Sequence, residues 1–154
     1  MHLKLASCAL SMALALAQSG AWANDNQAFI EQVSNDNTAV VDQGGNRNFT
    51  DILQTGDRSV ARVDQGGNDN EASIEQSGND NTALVDQSGN RNFADILQSG
   101  NDNLADVDQS GNDNTALVDQ SGNDNQALVN QTGNFNLTDI IQSGNGNVAD
   151  VTQD

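Results

Sequence analysis

Glutamine recurs at every eleventh position along most of the chain: Gln32, Gln43, Gln54, Gln65, Gln76, Gln87, Gln98, Gln109, Gln120, Gln131, Gln142 and Gln153. Six residues before each of these stands an asparagine, at Asn26, Asn37, Asn48, Asn70, Asn81, Asn92, Asn103, Asn114, Asn125, Asn136 and Asn147, with Ser59 as the one exception. A primary amide offers two donors and an acceptor, so identical amides stacked at a constant spacing can bond to one another in an open-ended row. That is cohesion, not catalysis. The other reactive groups are 22 carboxylates, which elsewhere serve as general acids, general bases or cation ligands. From residue 24 onward there is no His, Cys, Lys or Tyr, and the carboxylates follow the repeat without a singular cluster. An enzyme is therefore excluded, and no cofactor, metal or small-molecule substrate is expected.

The rows of amides need elements that repeat with them. Asn24 to Asp154 reads as twelve units of 11 residues without insertion, close to N-D-N-x-A-x-V/I-x-Q-S-G. Within a unit the third, fifth, seventh and ninth positions share one side of a strand of period two, while the fourth, sixth and eighth vary. The seventh is the apolar core: Ile30, Val41, Ile52, Val63, Ile74, Val85, Ile96, Val107, Val118, Val129, Ile140 and Val151. Glycine and Asn-x-Asn close each strand with residues that tolerate positive φ, and the chain has no proline to interrupt a backbone ladder. Isoleucine mostly marks the odd units and valine the even ones, so odd and even strands are different objects. The expected fold is all-β: a β-solenoid of cross-β type, six coils of 22 residues, each strand-turn-strand-turn, with two facing parallel sheets about 4.8 Å per coil.

Composition fits no ordinary globular core: 35% apolar, 3% aromatic, and a net charge of −17 that opposes binding to nucleic acid. Residues 1–23 differ from the rest. Lys4 precedes an apolar run from Leu5 to Ala17, and Ala21-Trp22-Ala23 is a small-x-small cleavage site, which reads as a secretory signal peptide cut after Ala23. Residues 24–154 then carry the repeats, with four Arg against 22 acids and a net charge of −18. Twelve Val or Ile and ten Ala are a small apolar core for that length, so the amide rows and backbone ladder must share the work. The repeat reaches both termini of this segment without a capping unit, which leaves open sheet edges as templates for another copy.

Outward positions suggest further roles. Asp42, Asp64, Asp86 and Asp108 form an acidic column whose mutual repulsion is expected to restrain assembly. Phe49, Phe93 and Leu137 place an outward apolar patch on every second coil, serving either lateral packing or the filling of an irregular surface. Arg47, Arg58, Arg62 and Arg91 read as scattered charge pairs.

The spacing Q-x-G-x-x-N-x-A-x-x-x-Q, as in Gln87, Gly89, Asn92, Ala94 and Gln98, resembles the repeat of curlin proteins, the subunits of curli. The resemblance spans residues 24–154. It implies a structural subunit of extracellular amyloid fibres on the surface of a Gram-negative-type bacterium, serving adhesion and biofilm matrix. The implied partners are further copies of the chain, the other curli subunit (major or nucleating), the outer-membrane curli export machinery, and host or abiotic surfaces. Unlike the major subunit, this chain has no Gly-rich segment between leader and repeats, and Asn rather than alternating Ser opens its strands. On both counts it is as similar to the minor, nucleating subunit as to the major one. The alternative is a capped solenoid that stays monomeric and binds calcium, as a β-roll does, or another surface. Against the calcium roll, the period is 11 rather than nine and Gly-Gly occurs only at Gly44 and Gly66.

Overall fold

The computed structural model describes Leu14–Ala17 and Asp25–Asp154; the proposed cleavage residues Ala21 and Ala23 lie outside the described residues. Thirteen strands follow one another: β1 (Leu14–Ala17), β2 (Gln27–Gln32), β3 (Thr38–Gln43), β4 (Phe49–Gln54), β5 (Val60–Asn68), β6 (Glu71–Ser77), β7 (Thr82–Asn90), β8 (Phe93–Asn101), β9 (Leu104–Asn112), β10 (Thr115–Asn123), β11 (Gln126–Asn134), β12 (Leu137–Asn145) and β13 (Val148–Gln153). Even-numbered strands make one six-stranded sheet and odd-numbered strands a seven-stranded one, each in sequence order. From β2 onward every pairing is parallel and joins residue i to i+22, as in Ile52 with Ile74 and Val85 with Val107. The chain is thus a parallel β-solenoid of six 22-residue coils with two facing sheets. The coil holds two units because the two strand types keep to separate sheets. Ile30, Ile52, Ile74, Ile96, Val118 and Ile140 fill one sheet's inner column, and the even-unit valines fill the other.

Burial alternates along each strand from β2 to β13. Ala and Val or Ile at the fifth and seventh positions form one continuous core, with Ala28, Ile30, Ala149 and Val151 only half-buried because they lie in the first and last coils. β1 pairs outside the 22-residue register: it lies parallel against β3, with Leu16 opposite Val41, so Leu14–Ala17 occupies that sheet's first edge.

The turns depart from the expected chemistry. Positive φ falls on the second residue of each unit, whatever its type: Asp25, Asp36, Arg47, Arg58 and even Phe135, with φ from 56° to 62°. The flanking asparagines do not take it; their side chains bond to turn backbone and to one another. A second left-handed residue is the glycine closing most units. Gly89 has φ 114°, and a Cβ there would lie 1.8 Å from the Gly111 carbonyl oxygen, so only a glycine column lets successive turns stack at strand spacing.

Candidate assembly site: amide columns and stack edges

Each interior glutamine makes three bonds. Gln87 Nε2 donates to Gln109 Oε1 at 2.9 Å and to the Glu71 carbonyl at 2.9 Å, while its Oε1 accepts from Gln65 Nε2 at 2.9 Å. The first and third bonds run along the sheet. The second crosses the core to the opening residue of the facing strand, so each amide also ties the two sheets together. Only a side chain with Gln's reach, two donors and an acceptor satisfies all three sites, and eight of these glutamines, Gln54 through Gln131, are wholly buried. In both sheets the donors all point toward the C-terminal end, from Gln32 through Gln142 and from Gln43 through Gln153.

The asparagine column is built differently from the expected amide-to-amide row. In the sheet of β2 to β12, Asn70 Nδ2 donates to the turn carbonyls of Gly66 and Gly89, and its Oδ1 accepts from the backbone N–H of Asn92. The side chain clamps turns together. Amide-to-amide bonds within this column occur in the other sheet, from Asn103 to Asn81, Asn125 to Asn103 and Asn147 to Asn125. Ser59 interrupts that sheet's column: it is wholly buried and its hydroxyl has no partner among the described residues. The true second amide row stands two residues earlier, where Asn46, Asn68, Asn90, Asn112 and Asn134 are linked Nδ2 to Oδ1 at 2.8–2.9 Å. Asn opens eleven of the twelve units, a signal as strong as the glutamine one. Thr50 and Thr138, which replace core alanines, insert their hydroxyls into the facing glutamine row, Thr50 donating to Gln65 Oε1 at 3.0 Å.

The outside is ordered by charge. Arg47, Arg58 and Arg91 each grip the aspartate one coil ahead with both nitrogens of a fork, at 2.6–2.8 Å, to Asp69, Asp80 and Asp113. Arg62 is 3.8 Å from Asp64. These hydrogen bonds hold Asp69, Asp80 and Asp113 below the usual carboxylate range. The register stacks Asp42, Asp64, Asp86 and Asp108 on successive coils. Burial, then the neighbouring acids, pushes Asp64 and Asp86 above that range. Phe49 lies between Gln27 and Glu71 in its column and Phe93 between Glu71 and Thr115, so the apolar patch residues do not adjoin one another along the sheet. Phe49 instead meets the Phe29 ring at 5.8 Å. Among the described residues no group of three or more His, Cys, Asp or Glu side chains converges as a metal site.

The two ends of the stack are chemically complementary. At the first coil Gln32 Oε1 is buried without a partner among the described residues. At the last coil, Gln142 and Gln153 donate only to the carbonyls of Gln126 and Leu137 among the described residues, which leaves a donor on each.

A family model described as the curlin associated repeat matches residues 45–78, 78–111, 100–133 and 111–139. No curated protein and no solved structure gives a significant match to the chain.

Proposed function

Because the chain belongs to the curlin repeat family, we propose that it is a structural subunit of extracellular curli-type amyloid fibres and polymerises end to end. The leader, residues 1–23, is removed on export, and residues 24–154 pass through an outer-membrane curli pore to the surface of a Gram-negative-type bacterium. There the fibre serves adhesion and biofilm matrix, in company with the other curli subunit. The observation that supports this reading is the unfinished glutamine row, with an acceptor buried at one end and donors at the other. An unpaired buried amide oxygen costs on the order of 1–3 kcal/mol, and a second copy supplies its donor.

The acidic column fits as an internal restraint. Its four aspartates belong to consecutive coils of one chain and give way to Asn130 and Thr152 in the last two coils. Its repulsion therefore opposes coiling of the monomer more than joining of copies. The test is residues 24–154 diluted from denaturant, followed by thioflavin fluorescence and fibre diffraction. Reflections near 4.8 and 10 Å from a product that seeds fresh chain are expected. A clear solution of folded monomer that persists for days refutes the reading.

A further inference from the structure

The outward columns carry a second order that the inward ones lack. Along the sheet of β2 to β12 the eighth position of each unit runs Glu31, Leu53, Glu75, Leu97, Asp119, Ile141, acid and aliphatic by turns. Two positions earlier in the same strands, Asp51, Asp95 and Asp139 alternate with Phe29, Ser73 and Leu117. In the facing sheet the corresponding column runs Val40, Arg62, Leu84, Asp106, Leu128, Asp150. The strand-opening columns alternate polar and apolar in both sheets, from Gln27 to Leu137 and from Thr38 to Val148. Five of the six outward strand columns therefore repeat every two coils, the acidic column being the exception. The effect is to separate like charges along these columns by roughly 9.6 Å instead of 4.8 Å.

We propose that this alternation sets the register of the joint between copies: the edge of β12 and β13 seats on the edge of β2 and β3 of a second copy, sheet continuing into sheet. This rests on the fibre reading given above. In that register Ile141 covers the second copy's Glu31, Asp139 its Phe29 and Asp150 its Val40, so each alternation crosses the joint unbroken. Thr152 covers Asp42 and Phe135 covers Asp25, and no acid meets an acid. Gln142 and Gln153 bring their spare donors to the second copy's Gln32 and Gln43, and the one-way glutamine row makes the contact head to tail. The leader strand already uses part of this seat: β1 pairs Leu14–Ala17 with Ala39–Asp42, where Ala149–Thr152 of a second copy belong. The edge of β3 thus accepts a parallel strand, and in the full-length chain β1 must leave before a second copy adds there.

The experiment uses residues 24–154, which hold every strand but β1, and measures the soluble chain left at equilibrium over fibres in a fixed, low urea concentration. Glu31 and Ile141 stand five coils apart within one chain, roughly 24 Å, and become neighbours only across the joint. Ile141→Glu sets like charges about 4.8 Å apart at every joint and raises the soluble concentration about fourfold. It also crowds Asp119 within its own chain, which no change at residue 31 relieves. Adding Glu31→Lys to Ile141→Glu returns the soluble concentration toward the wild-type value, whereas Glu31→Lys alone changes it little. If wild type forms fibres and the double variant stays as soluble as Ile141→Glu, the register is wrong while the fibre reading stands. If wild type forms no cross-β product, the fibre reading fails and this proposal with it.

Discussion

Ser59 offers the sharpest test of whether the inward columns hold the coils together. In its column Asn81 donates to the carbonyls of Ser77 and Gly100 and accepts from the backbone N–H of Asn103, while Ser59 makes no side-chain bond among the described residues and is wholly buried. The turn from Thr55 to Ser59 has other faults: Asp57 stands in the Asn row, and Gly56 is absent from the left-handed residues that close the later units. Ser59→Asn, placed as its neighbours are, gains donations to Thr55 O and Gly78 O and an acceptance from Asn81 N–H. Three bonds at about 1 kcal/mol net each, less about 1 kcal/mol for immobilising the side chain, give a stabilisation of about 2 kcal/mol. That is roughly a 30-fold change in the ratio of coiled to uncoiled chain, and about 1 M in a urea midpoint, read by far-ultraviolet circular dichroism. Ser59→Ala is the control: it deletes the orphan hydroxyl without adding bonds and is expected to gain less than half as much. A Ser59→Asn midpoint at or below that of Ser59→Ala refutes the idea that completed turn clamps stabilise the stack.

Gln87→Leu leaves Gln109 Oε1 and one Gln65 N–H unpaired in the core and removes the side-chain donor from the Glu71 carbonyl, which keeps its ladder bond, and is expected to cost about 4 kcal/mol; Gln153→Leu, at the half-buried edge, costs far less in the same urea titration. Stability is expected to peak near the ordinary carboxylate value. Asp64 and Asp86 are raised in the fold, so the stability their protonation confers is full below that value and is lost as pH rises through their folded values. Asp69, Asp80 and Asp113 are lowered, so theirs is present above it and lost as pH falls further. Urea midpoints at pH 7, 4 and 2 check both arms, and Asp86→Asn flattens the first. Phe135→Gly relieves a left-handed aromatic residue at φ 62° that is 79% exposed; a gain of about 1 kcal/mol, seen as a rise of a few degrees in Tm, is expected, and a fall means that the ring is held by contacts of its own.

Much of the architecture was legible because the repeat has no insertions. Period two within the unit gives the inward face, and Ile against Val at the seventh position separates the sheets. Glutamine was readable as a row since identical primary amides stacked at strand spacing can bond to one another. What escaped reading is what depends on turn geometry. Positive φ was expected of Asn and Gly, but it falls on the second residue of each unit, which is mostly Asp or Arg and once Phe, whatever flanks it. Spacing alone predicts an asparagine row like that of glutamine; one methylene shorter, the side chain reaches the turn carbonyls first. Arg47 with Asp69 looked like scattered charge although the 22-residue coil stacks them, because the fork is made between two left-handed turn residues. β1 was hidden for another reason: an apolar leader reads as an export signal, and nothing in its pattern announces a strand partner.

A chain of near-identical units faces an error that ordinary proteins do not, the looping out of one whole coil. The core cannot detect it, since valine then lies on valine and glutamine on glutamine as before. The outward alternation can. With one coil skipped, Glu31 lies on Glu75 and Asp51 on Asp95, and the charge separation that spaces the surface is lost. Looping out two coils restores it. The painted outside of the solenoid is thus a parity check on its own winding, sensitive to faults of 22 residues and blind to faults of 44.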